Sequence, residues 1–148
     1  MSPATLRWIF NLWPPFAASG IHVTRMAPGW RGARVELRAR PWNGNYVGVH
    51  YGGNLFSMTD PFWMILVKQR LGGGYLVWDK AAEIEFVKPG QDTVSAEFEL
   101  DDATVDAIRT ATAGGDKLLR WFETGIVDRS GDVVARVRKQ LYVRRKRA

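Results

Sequence analysis

The 148-residue sequence contains no cysteine, which excludes disulfides, thiolate nucleophiles and Cys-based zinc or iron–sulfur sites. Histidine is nearly as scarce. His22 and His50 are the only two, so no metal ligand set is expected. The longest uninterrupted apolar run, Phe62 to Val67, falls far short of the ~20 residues needed to cross a bilayer, and no stable membrane insertion is expected. There is no Gly-x-Ser-x-Gly elbow, no Gly-x-x-x-x-Gly-Lys-Ser/Thr phosphate loop and no dinucleotide fingerprint. Together these absences point to a protein of a reducing, cytoplasmic compartment.

What is present describes one globular domain, residues 1–148. Hydrophobic residues make up 46% and charged residues 24%, the proportions of a folded chain rather than a disordered one. A chain of this length buries roughly 70% of its extended surface without staples. The net charge of +6 is local: seven of the 21 Lys and Arg residues, and none of the 15 Asp and Glu, lie between Arg136 and Ala148. Such a basic edge suits nucleic acid, anionic lipid or a phosphorylated ligand, and equally a solvated end. It carries no recognition-helix motif, so no nucleic-acid partner is expected.

Along the chain, residues 1–20 form an N-terminal helical extension, with Leu6, Ile9, Phe10 and Trp13 on one helical face and Pro14-Pro15 stopping or restarting it. Residues 22–26 and 34–40 alternate as strands, Val35, Leu37 and Ala39 facing one way. A Gly- and Asn-rich loop over residues 41–53 leads into residues 54–69, an almost wholly apolar stretch that reads as a buried helix ending at Gly72-Gly73-Gly74. Strands follow over 75–87, 93–100, 118–128 and 133–143, with a polar helix from Asp101 to Gly114-Gly115 between them. Each strand is expected beside its sequence neighbour. The fold class is α+β, a long central helix wrapped by an antiparallel β-sheet with an extra N-terminal helix.

Chemistry is visible in residues 45–60. Gly52-Gly53 stand where the loop becomes the helix, and the first N–H groups of a helix have no internal partner. Those donors suit an anion or a developing oxyanion. Asp60 lies among Leu55, Phe56, Met58, Phe62, Trp63 and Ile65, and a carboxylate buried there must be paired or used. Eight helical residues, ~12 Å, separate it from Gly52. If both act on one substrate atom, the site is shared between two subunits.

These residues resemble the signature of the PaaI-type hotdog-fold thioesterases: Asn45, Gly48, Gly52, Gly53 and Asp60 stand in the family's register, and Ile84-Glu85-Phe86-Val87-Lys88-Pro89-Gly90 is similar to its strand ending in Pro. Asn11-Leu12-Trp13-Pro14-Pro15, Thr59-Asp60-Pro61-Phe62, Trp78-Asp79-Lys80 and Tyr142–Lys146 look like an uncharacterised bacterial branch of that superfamily. The resemblance implies an acyl-CoA thioester substrate, no cofactor, and a homodimer or homotetramer (a dimer of dimers) with active sites at the subunit interface. It casts Asp60 as catalytic general base or nucleophile, Gly52 N–H as the group polarising the thioester carbonyl, Asn45 as loop-fixing or assisting, and Asp79 as the residue that positions water. Tyr51, where the family has His, joins Gly53, His50 and Trp63 as substrate-binding residues. Pro61 is expected to kink the helix at Asp60.

Two rival readings remain: a non-catalytic acyl-CoA binder or sensor, and a dehydratase or hydratase on the same fold. For Asp60 the structural alternative is a carboxylate held by backbone amides, Lys80 or an arginine. For His50 it is a supporting role, and for Trp63 a place in the core.

Overall fold

The structure, a computed structural model, describes residues 1–147. Helices α1 (Pro3–Leu12) and α2 (Pro14–Ser19) precede strands β1 (Ile21–Met26) and β2 (Gly32–Leu37); helices α3 (Gly52–Ser57) and α4 (Phe62–Leu71) precede β3 (Tyr75–Phe86) and β4 (Val94–Glu99); helix α5 (Asp102–Thr112) leads to β5 (Lys117–Val127) and β6 (Val133–Arg145). The strands form one antiparallel sheet in the order β1-β2-β4-β5-β6-β3. The expectation that each strand lies beside its neighbour fails for β3, which crosses to the far edge and pairs along its length with β6. Alternation specifies which face a residue takes, not which strand lies alongside.

The apolar stretch after Gly52 packs on the inner face of the sheet. Phe62 is fully buried with its ring 4.8 Å from that of Phe98, and Trp63 stacks on Phe122 at 4.7 Å. Each such side chain contributes roughly 1.5–3 kcal/mol by burial. The stretch is two helices rather than one. Pro61 has no N–H to donate to Ser57, and the chain turns through Met58–Pro61 before helix resumes at Phe62. This is the kink expected at Asp60, widened to a break.

Helix α1 docks on β1. Phe10 and Phe16 enter the core, while Ile9 and Trp13, expected on the packed face, are exposed. Asn11 explains the docking angle: its Oδ1 accepts from Val23 N at 2.7 Å and its Nδ2 donates to Val23 O at 3.0 Å. Arg7 donates to Thr24 O at 3.2 Å. The helix thus satisfies the outer edge of β1. The outer edge of β3 has no such cover among the described residues, and most of its side chains are exposed. No helix among the described residues is long and apolar enough to cross a membrane.

Candidate active site

Two segments far apart in sequence meet at one cleft. The loop bearing Asn45, Val49, His50 and Gly52 faces Phe86–Gly90 at the end of β3, enclosing about 390 Å³. Asn45 organises the loop: its Oδ1 accepts from Val47 N and Val49 N, both at 3.1 Å, and its own N–H donates to Val49 O at 2.8 Å. His50 ties the loop to the β3–β4 connection. It is 5% exposed, its backbone N–H donates to Gly90 O at 2.8 Å, and Nε2 lies 2.5 Å from Asp92 O. A carbonyl only accepts, so Nε2 carries the proton in this contact. The ring of His50 is therefore committed to the fold.

Gly52 and Gly53 open α3, and neither backbone N–H has a backbone or side-chain acceptor among the described residues. At both positions an added Cβ would press on the tip of an exposed aromatic ring, which would have to swing aside. A Cβ on Gly52 would lie 2.9 Å from Phe86 Cζ, and one on Gly53 would lie 2.4 Å from Tyr51 Cε1. The exposed rings of Phe86 and Tyr51 thus cover the two glycines. Tyr51, extended at φ −63°, ψ 127°, delivers the chain into the helix.

Asp60 is not buried among apolar side chains as the sequence suggests. The turn before Pro61 buries Met58 and Thr59 and rotates Asp60 outward, leaving its side chain 68% exposed in the single chain. It does not line the cleft. Its partner is neither Lys80 nor an arginine but Lys139, whose Nζ donates to Asp60 Oδ1 at 2.8 Å and also to the Asp60 carbonyl. Lys139 is 2% exposed and reaches Asp79 Oδ2 at 3.2 Å. Asp79 thus lies close to Asp60, joined through one ammonium. Burial is the largest influence on the Asp79 carboxyl and raises its pKa; Lys139 pulls it down and Asp60 pushes it up again.

Sequence reasoning missed Lys139 although a signal was there. Ala135, Val137, Leu141 and Val143 alternate along β6 toward the core, and Lys139 occupies the same row. Trp63, a candidate for the substrate pocket, lies in the core with Nε1 donating to Thr124 Oγ1 at 2.8 Å. Of the proposed residues, Asn45, His50 and Gly52 line the cleft, Tyr51 and Gly53 adjoin it, Asp60 and Asp79 cluster with Lys139, and Trp63 stands apart. The wider concavities on the outer sheet face are lined by mutually paired charges such as Arg34–Glu97 at 2.9 Å and Arg138–Glu83 at 3.1 Å.

The family described as "Domain of unknown function (DUF4442)" matches residues 3–143. No curated protein matches the sequence. Among solved structures, a Pseudomonas aeruginosa protein described as a probable thioesterase superposes with a TM-score of 0.85 at 21% identity, over 97% of each chain. A thioesterase from Haemophilus influenzae gives 0.69 at 12% identity, over 97% of this chain and 90% of its own. The Escherichia coli PaaI protein of the phenylacetic acid degradation operon gives 0.62 at 19% identity, over 99% and 92%. At these identities the likeness is one of architecture.

Proposed function

Because the chain belongs to the DUF4442 family and has the hotdog fold of the PaaI-type thioesterases, we propose that it hydrolyses an acyl-CoA thioester. The reading is carried by one observation: the loop at Asn45–Gly53 and the β3 end at Phe86–Gly90 close around the unpaired N–H of Gly52. A thioester carbonyl oxygen accepting from that N–H is polarised as negative charge develops on it. An Asp60 carboxylate then either takes a proton from the water that attacks the carbonyl carbon, or attacks that carbon itself to form an anhydride that water then cleaves. In both cases the coenzyme A thiolate leaves and the free acid is released.

In one chain Asp60 lies outside the cleft, so the carboxylate is supplied by a second copy. Two features support a homodimer, alone or as half of a dimer of dimers. Asn11 and Arg7 cover the β1 edge of the sheet while the twelve-residue β3 edge has no cover among the described residues, and an uncovered edge is a template for pairing. Asp60 also points away from its own core. The commitment of His50 to Asp92 O leaves no histidine beside the carboxylate, which argues for hydrolysis over dehydration. The Lys139 ion pair lends support to a second reading, acyl-CoA binding without turnover, in which Asp60 only shapes the site.

The test is release of free thiol from short-chain, long-chain and aryl acyl-CoA by the wild type, Asp60→Asn and Gly52→Pro. Proline suits this position: it is the first helical residue, and Tyr51 before it is already extended. The substitution therefore removes the N–H and keeps the backbone path, the exposed Phe86 ring swinging away from the new Cβ. Turnover is expected to fall roughly 10²–10⁴-fold in Asp60→Asn and roughly 10²–10³-fold in Gly52→Pro. Binding without turnover in the wild type would favour the second reading, and neither binding nor turnover would end both.

A further inference from the structure

We propose that Lys139 is a positioning residue, which fixes the reactive carboxylate of Asp60 while Asp79 serves as the counter-charge that holds the buried ammonium in place. This rests on the reading of Asp60 as the reacting carboxylate. A lysine in the inward row of β6 is costly unless its charge is matched, since a buried ion loses several kcal/mol of hydration. Here the match is complete. An ammonium has three N–H donors, and Lys139 Nζ meets three oxygens: the Asp60 carbonyl, Asp60 Oδ1 at 2.8 Å and Asp79 Oδ2 at 3.2 Å.

The break in the central helix makes this contact possible. No backbone N–H donates to the Asp60 carbonyl among the described residues, because the turn at Met58–Pro61 takes it out of both α3 and α4. Lys139 occupies that vacant acceptor and in the same contact captures one carboxylate oxygen. The other, Oδ2, has no partner among the described residues and belongs to an outward-facing side chain. One oxygen is held and one is free, which presents a fixed carboxylate to a neighbouring molecule. Lys139 from β6 and Asp79 from β3 are the charged groups clustered with Asp60.

The double variant Lys139→Met with Asp79→Asn removes the buried ammonium and its counter-charge together, and methionine fills the lysine's path. It is expected to fold with a thermal midpoint near that of the wild type, to lose about 100-fold in kcat at little-changed KM, and to shift the acid limb of its pH–rate profile. A folded double variant with wild-type kcat and an unmoved acid limb would overturn the proposal. A second measurement needs neither turnover nor the double variant's folding. In Asp60→Asn, the Asp79 carboxyl, followed by carbon-13 NMR, titrates at lower pH than in the wild type because a repelling charge has gone. An unchanged Asp79 titration would break the coupling on which the proposal depends. A wild type that hydrolyses no thioester counts against the proposed function alone, and the Asp79 titration still decides whether Asp60 and Asp79 share one charge cluster at Lys139.

Discussion

His50→Ala is expected to weaken the fold while leaving turnover per folded molecule in place. The imidazole is buried, donates from Nε2 to Asp92 O and packs its Cδ2 beside Gly90. Alanine removes the hydrogen bond, leaves the Asp92 carbonyl without this donor and opens a void under the loop. Lost hydrogen bonding of about 1 kcal/mol and a partly collapsed cavity give about 2–3 kcal/mol in all. For a chain of this size that corresponds to a fall in Tm of roughly 4–12 °C. Scanning calorimetry measures the shift, and thiol release at a temperature where both proteins are folded measures turnover. Backbone anchoring survives the substitution, because the His50 N–H still donates to Gly90 O. Two results would refute this reasoning: a Tm unchanged from wild type, or a fully folded variant without turnover. The second would assign the imidazole to the chemistry and revive the hydratase reading.

Further expectations concern the core and the acid range. Thr124→Val leaves the buried Trp63 indole N–H without its acceptor and costs about 1–3 kcal/mol in urea unfolding, with KM unchanged because Trp63 is remote from the cleft. Asp79 titrates above its ordinary value of 3.8 in the folded chain, chiefly through burial. Its proton is held more tightly when folded. Its contribution to stability is therefore fully present below pH 3.8 and is lost as pH rises through the raised folded value. Urea unfolding of wild type and Asp79→Asn across the acid range is expected to show the wild type's relative stability declining over that window. A constant difference would contradict it.

The legible parts of the molecule were those governed by local chemistry. Alternation at Val35 and Leu37, the Asp101 side chain accepting from Thr104 N to open α5, and the glycine stop after Leu71 could all be read from neighbouring residues. The meeting of Asn45–Gly53 with Phe86–Gly90 was not read, although the resemblance named both motifs, because it joins segments far apart in sequence. Asp60 was misread because helical periodicity loses its phase across Pro61: apolar neighbours at Met58 and Phe62 are buried, while the turn between them faces Asp60 outward. Lys139 was counted with the basic C-terminal edge although its row in β6 is otherwise apolar. His50 depends on Asp92, forty-two residues away, and no local pattern announces such a partner. The far-edge position of β3 is likewise a property of the whole sheet.

Mixing two disabled proteins tests most directly whether the site is assembled from two chains. Asp60→Asn keeps an intact Gly52 N–H, and Gly52→Pro keeps an intact Asp60. Refolded together in equal amounts, half the dimers pair one of each, and every mixed dimer has one complete site out of two. The account predicts recovery of about one quarter of wild-type turnover from two nearly inactive parents. If the mixture stays as inactive as its components while mixed dimers are demonstrably present, carboxylate and amide donor do not meet across the interface, and the account is wrong.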